Sequence, residues 1–134
     1  LRGREATCGV IDDFRGREHY ALPPIEIRRP AGKQVWDYKD KYSGETKEIC
    51  PGHFSETEKA EIEAFSVAAH KVLGLRHYSR SDFIVTPKNQ VYFLETNSLP
   101  GLSDEAPLPQ SLIAVGSNMD EFLVHVIGMA LEKK

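Results

Sequence analysis

The sequence predicts an α+β domain, a mainly antiparallel sheet flanked by helices. Three observations carry that reading. Runs rich in β-branched residues fill Glu5–Ile27 and recur on both sides of the polar turn Pro87-Lys88-Asn89. Between these runs, Ser55-Glu56-Thr57-Glu58 is a capping-box signature that opens a helical pattern. A second helical pattern, with Phe122, Val126, Ile127 and Ala130 on one side, closes the chain.

Taken in order, Glu5 to Ile11 reads as a strand that ends in a turn at Asp12-Asp13. Tyr20-Ala21-Leu22 and Ile25-Glu26-Ile27 are short strands separated by Pro23-Pro24. A polar turn at Arg28–Gly32 and a short strand at Val35–Tyr38 follow. Lys39 to Gly52 has little apolar periodicity, and a loop of that length in a compact domain is functional or mobile. The capped helix is predicted to run to Leu73, with Ile62, Phe65, Ala69, Val72 and Leu73 as its buried stripe and Gly74 as its C-terminal cap. A hairpin from about Tyr78 to Glu95 comes next. An extended loop with Pro100, Pro107 and Pro109 leads to a short helix at Ser111–Val115, and the last helix starts near Asn118. Tyr92-Phe93-Leu94 makes the second hairpin strand apolar on both faces, which predicts a sheet covered on both sides.

At 134 residues, 40% hydrophobic and 28% charged, the chain has the make-up of one ordinary soluble domain. A net charge of -3 without any Lys/Arg run gives no footprint for nucleic acid. No apolar stretch is long enough to span a bilayer and no signal-peptide pattern opens the chain, so the expectation is a cytoplasmic protein without a membrane partner. Cys8 and Cys50 lack zinc spacing and read as reduced thiols. The histidines His19, His53, His70, His77 and His125 show no ligand spacing, and His70 and His125 read as surface or half-buried helix positions.

The chemistry concentrates in Arg80-Ser81-Asp82-Phe83 and Glu95-Thr96-Asn97-Ser98-Leu99-Pro100-Gly101. If the two strands pair as a hairpin, Asp82 and Glu95 lie near each other, with Asn97 two residues on along the same face. Two carboxylates and an amide oxygen at one spot suit Mg²⁺, which binds a few carboxylates and fills its shell with water and phosphate oxygens. A structural ion-pair cluster of Arg80, Asp82 and Glu95 explains the same residues without a metal.

The arrangement of Arg80-x-Asp82-Phe83 one hairpin before Glu95-x-Asn97-x-x-Pro100-Gly101 resembles the closing part of the ATP-grasp fold in D-alanine–D-alanine ligases. Gly3-Arg4-Glu5 is similar to that family's hinge, Trp36-Asp37-Tyr38-Lys39-Asp40-Lys41-Tyr42 to its aromatic-rich loop, and Cys50-Pro51 to the loop's end. The resemblance covers essentially all of residues 1–134 and implies a single domain, the C-terminal ATP-grasp lobe.

The roles the resemblance implies are specific. Asp82, Glu95 and Asn97 would hold two Mg²⁺ ions, with Mn²⁺ able to substitute. Arg80 would stabilise phosphoryl transfer, the Gly101 N–H an oxyanion, and Tyr42 would close the loop over the site. Glu5, Trp36, Lys41 and Leu94 would surround ATP, and Gly101 and Ser103 would meet the substrate. The implied activity is an ATP- and Mg²⁺-dependent carboxylate–amine ligase that forms a peptide bond through an acyl phosphate, in peptidoglycan precursor synthesis if its substrate is D-alanine. Its partners would be small amino-acid-like substrates, the rest of its own chain and, in the full-length protein, a second copy. The alternative is a non-catalytic degenerate ATP-grasp domain that binds nucleotide or a protein.

Two features qualify the activity. Ser103 stands where the family has Thr or Ser, but Ala106 occupies the later position of a substrate-binding Ser, behind acidic Asp104 and Glu105. An altered second substrate is therefore expected. Neither a glycine-rich phosphate-covering loop nor a first-substrate domain is present, so the chain reads as a piece of a longer protein and is expected to be almost inactive alone.

Overall fold

The computed structural model describes residues 2–29 and 47–132. The predicted strand at Val35–Tyr38 and the residues Trp36, Lys41 and Tyr42 lie outside them. The described chain forms β1 (Arg4–Phe14), β2 (Arg17–Ala21), β3 (Ile25–Arg28), β4 (Lys47–Ile49), α1 (Glu56–Val72), β5 (Tyr78–Val85), β6 (Val91–Asn97), α2 (Pro107–Ala114) and α3 (Met119–Leu131). The strands make one sheet ordered β4-β3-β1-β5-β6, with β2 also paired to β1. Every pairing is antiparallel. The α+β expectation holds.

Alternation along β1 divides the interior into two layers, because successive side chains point to opposite faces. Ala6 and Cys8 pack with Phe54, Ile62, Phe83 and Val85 under α1. Ile11, Phe14 and Leu22 pack with Leu108, Leu112 and Phe122 under α2 and α3. Gly9 makes the second layer close: a Cβ there would sit 2.6 Å from Leu108 Cδ1 and 3.1 Å from Leu22 Cδ1. A side chain at this position would have to displace the tips of these two buried leucines. Burial pushes the Cys8 thiol up to about 12, against the Ser66 contact that lowers it, so Cys8 is an inert core residue.

Several local expectations change. Asp12-Asp13 is not a turn; β1 continues to Phe14, with Asp12 paired to His19 and Phe14 to Arg17. The two-residue turn is Arg15-Gly16, with φ of 52° and 78°. Left-handed backbone at both turn positions has the twist that tight hairpins need. The expected loop over Lys39–Gly52 ends in a strand, because Lys47–Ile49 pairs with β3. Pro107 and Pro109 belong to α2 rather than to a loop. Proline is tolerated in a first helical turn, where the N–H it lacks has no intrahelical partner.

α1 begins and ends as its sequence predicts. The Ser55 hydroxyl accepts from the Glu58 N–H and the Glu58 carboxylate accepts from the Ser55 N–H, a complete capping box. At the other end the Gly74 N–H donates to Lys71 and the Leu75 N–H to His70, the paired bonds of a Schellman motif. Its buried stripe, however, is Glu58, Ile62, Ser66 and His70. Phe65, Val72 and Leu73 are exposed. The helix is turned because Glu58 reaches Arg4 at 2.7 Å and His70 reaches Ser79 at 2.7 Å, so polar partners on the sheet select the inward face. His70 is fully buried rather than a surface residue, and burial pushes its pKa down although Asp12 raises it.

α3 keeps the predicted Asn118 cap, whose side chain accepts from the Glu121 N–H. Of its predicted apolar side, Phe122 is buried and Val126 partly so, while Ile127 and Ala130 face outward. The sheet is likewise not covered everywhere: Tyr92, Phe93 and Leu94 are 43%, 46% and 50% exposed on the edge strand β6. No single helix among the described residues is long and apolar enough to cross a membrane.

The Arg4–Glu58 contact gives a test. Burial would raise the Glu58 pKa, but the Arg4 guanidinium and the Ser55 N–H outweigh it, and the carboxyl is held below its ordinary 4.5. A lowered folded-state value contributes stability above the ordinary carboxyl range that is lost as pH falls through it. Glu58→Ala should cost about 1–2 kcal/mol at neutral pH in a urea titration, and the difference should shrink below about pH 4. An equal difference at both pH values would contradict this account.

Candidate active site

The hairpin β5–β6 places the predicted acidic residues opposite one another. Asp82 pairs with Glu95 and Arg80 with Asn97. The register then breaks, because Phe83 pairs with Phe93 and Leu94 is left unmatched. This β-bulge decides the site. Phe93 and Glu95 are two residues apart, and in a regular strand they would share a face. The extra residue puts Phe93 beside Phe83 on the α1 side, with ring centroids 5.8 Å apart, and Glu95 beside Asp82 on the other side. Ser81 and Thr96 hold the shifted register with a 2.8 Å hydroxyl pair on the α1 side.

On the opposite face, Glu5 and Thr7 of β1 stand beside Arg80 and Asp82 of β5, since Thr7 is paired with Asp82 and Glu5 with Ile84. A cavity of about 340 Å³ opens there, lined by Glu5, Ala6, Ile27, Arg29, Glu48, Arg80, Asp82, Phe83, Leu94, Glu95 and Pro107. Five of the sequence-predicted residues therefore meet around one space: Arg80, Asp82, Glu95, Glu5 and Leu94. Leu94, the bulged residue, turns half-exposed apolar surface toward it.

The polar partners are unevenly shared. Asp82 Oδ1 accepts from the Thr7 hydroxyl at 2.7 Å and from Arg80 Nε at 3.3 Å. Arg80 is thus bound to one of the carboxylates, as a structural ion pair requires. Glu95 makes no hydrogen bond or ion pair among the described residues, so the salt-bridge cluster does not extend to it. Its oxygens remain free for a cation. The Asn97 amide oxygen accepts from the Leu99 N–H at 2.9 Å and keeps a second lone pair.

The other predicted residues lie apart from the cavity lining. Gly101 and Ser103 are exposed, and the Ser103 carbonyl accepts from the Ala106 N–H at 2.9 Å in the turn before α2. A Cβ at Gly101 would stand 3.7 Å from Ala106 Cβ, an ordinary contact. Ala106 is the N-cap of α2 and offers it no side-chain bond. Lys41, Tyr42 and Trp36 fall outside the described residues.

Sequence reasoning passed over Thr7, Arg29 and Glu48. Thr7 carried a usable signal, since it stands two residues after Glu5 on the same strand face. Arg29 binds Glu5 through Nε at 3.0 Å. Only the β1–β3 register, which pairs Glu5 with Ile27, brings Arg29 near enough. Glu48 reaches the cavity because β4 pairs with β3, and it holds the Gln110 amide of α2.

Known proteins share this sequence and fold. A D-alanine–D-alanine ligase of Oleidesulfovibrio alaskensis is 42% identical over 98% of this chain and 41% of its own length. D-alanyl-alanine synthetase A of Vibrio cholerae superposes with a TM-score of 0.81 at 27% identity, over 99% of this chain and 40% of that one. A Bacillus anthracis D-alanine–D-alanine ligase, solved as a complex with ATP, gives 0.77 at 27% identity, over 98% of this chain and 39% of that one. The chain thus spans about two fifths of the length of these relatives. The family model described as the D-ala D-ala ligase C-terminus matches residues 1–128, and the chain belongs to that family.

Proposed function

We propose that this chain is the C-terminal lobe of an ATP- and Mg²⁺-dependent ligase that joins two amino acids, of the D-alanine–D-alanine type. The observation that carries the reading is the bulged hairpin, which sets Asp82 against Glu95 beside Arg80 at one cavity. The relatives named for this reaction, and the one bound to ATP, support the nucleotide and the substrate class. With D-alanine as substrate the product feeds peptidoglycan synthesis. Retention of Arg80, Asp82, Glu95, Asn97 and Gly101 together argues against a degenerate nucleotide-binding domain.

The donor set fits magnesium. Asp82, Glu95 and Asn97 supply hard oxygen atoms, and the Glu95 carboxylate is not committed to a protein cation. These residues would hold two ions. Bound there, the ions neutralise charge on the phosphate oxygens during transfer. Thr7 and Arg80 fix the orientation of Asp82. Glu5, braced by Arg29, is placed to accept from the ribose hydroxyls, and Leu94 offers an apolar surface to the base.

In the reaction, an oxygen of the first amino acid's carboxylate attacks the γ-phosphorus, the bond to the bridging oxygen breaks, and ADP leaves. The amine of the second amino acid adds to the acyl carbon. The tetrahedral species then expels phosphate and a proton, leaving the amide. The planar Arg80 guanidinium suits the spread-out negative charge of both steps. The Gly101 N–H would meet the oxyanion, and Lys41 and Tyr42 would act from the loop over the site. A homodimer of the full-length protein and a cytoplasmic location belong to the same reading.

Three outcomes test it in the full-length protein. Asp82→Asn and Glu95→Gln should each lower Mg²⁺-dependent ADP release at least about 100-fold, equal to about 2.7 kcal/mol of transition-state stabilisation. Undiminished turnover in either variant would refute the metal assignment. Thr7→Val removes one bond to Asp82 and should raise the Mg²⁺ needed for half-maximal rate about 10-fold, with the KM for the amino acid little changed. Ala106→Ser restores a hydroxyl at the N-cap of α2 and should lower the KM for D-alanine as second substrate several-fold. An unchanged KM would show that Ala106 does not set acceptor choice.

A further inference from the structure

A second polar cluster lies on the other face of the sheet, at the far end of β1 from Glu5 and Thr7. Asp12 of β1, His19 of β2 and His70 of α1 converge so that one ligand atom from each lies within 4.8 Å of the others. Asp12 Oδ1 is 2.8 Å from His19 Nδ1 and 2.9 Å from His70 Nε2. We propose that Asp12, His19 and His70 form a binding site for a transition-metal dication of the zinc class, separate from the carboxylates of the catalytic cavity.

The chemistry of the donors points to that class of ion. Two imidazoles and one carboxylate suit zinc, cobalt or nickel, whereas magnesium prefers oxygen ligands alone. Three protein ligands leave a fourth tetrahedral position for water. That position has an approach from solvent, because the side chains of Asp12 and His19 are 17% and 19% exposed while His70 is fully buried. The two imidazole protons now directed at Asp12 are the ones a metal would displace, so binding exchanges protons for a cation on a shared set of lone pairs.

The ligands also have outer partners that fix their orientation, as metal-binding side chains commonly do. His70 Nδ1 is 2.7 Å from Ser79 Oγ, which leaves Nε2 aimed at Asp12. Asp12 Oδ2 accepts from the His77 N–H at 2.8 Å, leaving Oδ1 for the site. Tetrahedral bonds of about 2.0–2.1 Å require ligand atoms about 3.3 Å apart. The two nitrogen–oxygen distances must therefore open by roughly half an ångström from their present 2.8 and 2.9 Å. His19, on the short strand β2 and partly exposed, is the residue placed to move. An ion there would tie β1, β2 and α1 together.

The test uses the full-length protein, without any affinity tag, stripped with chelator. Addition of Co²⁺ should produce the visible absorption of a tetrahedral site at one equivalent, and Zn²⁺ should bleach it. Zn²⁺ should also raise the melting temperature by several degrees. His19→Gln, which retains a hydrogen-bonding side chain near Asp12, should lose the absorption and the shift while leaving ligase activity intact. Glu95→Gln should lose activity and keep both. Absence of the Co²⁺ signal and of any Zn²⁺-induced shift in the unaltered protein would overturn the proposal. So would a signal that survives His19→Gln and disappears in Glu95→Gln, since the ion would then belong to the catalytic carboxylates. Loss of turnover in Asp82→Asn bears on the ligase reading alone.

Discussion

One unpaired residue on an edge strand decides which side chains meet at the cavity. Leu94 is the extra residue between two registers, Phe83 with Phe93 and Asp82 with Glu95. In an unbroken strand Phe93 and Glu95 would share one face, so Glu95 would follow Phe93 to the α1 side. A bulge costs ladder bonds and twists its strand, yet here it lets residues two apart serve opposite demands. Phe93 stacks edge-on against Phe83, while Glu95 faces Asp82 across a cavity. The hydroxyl pair Ser81–Thr96 lies just past the break and ties the shifted strand to its neighbour.

The same logic of faces organises β1. Its central position gives it β5 along one edge and β3, then β2, along the other. Residues of one parity, Ala6 and Cys8, meet α1, and those of the other, Glu5, Thr7, Gly9 and Ile11, meet the cavity or α2. Gly9 marks the changeover along that second face: Glu5 lines the cavity and Thr7 holds Asp82, whereas Ile11 packs among the apolar residues of α2 and α3. Leu108 comes close to the strand there, since a Cβ at Gly9 would stand 2.6 Å from its Cδ1.

Much of this was legible in the residues. The capping box, the Gly74 terminus, the β5–β6 turn and the Asn118 cap are local devices, each made by groups within a few positions of one another, and local spacing reveals them. The opposition of Asp82 and Glu95 was also foreseeable, because a hairpin is local. What failed depended on distant partners. The rotation of α1 follows from Arg4, far away in the chain, and from Ser79 on the strand that follows, and a periodic count of apolar residues puts Phe65 and Val72 inward instead. Asp12-Asp13 looked like a turn because acidic pairs favour turns, but Asp12 is held by His77, His19 and His70. The likeness of Arg15-Gly16 to a hairpin turn was overlooked in its favour. Three consecutive apolar residues before Glu95 were read as a doubly covered strand, whereas they mark a broken alternation.

The start of α2 departs from what a helix N-terminus usually offers. Helix N-termini attract anions because the first amide groups lack intrahelical partners. In α2 two of those positions are Pro107 and Pro109, which have no N–H to offer, so Leu108 alone contributes an unpartnered amide among the first three helical residues. Ala106 adds no hydroxyl in compensation. Asp104 and Glu105, both exposed just before it, add negative charge to a region that a substrate carboxylate must approach. Each feature weakens this helix end as a site for an anion.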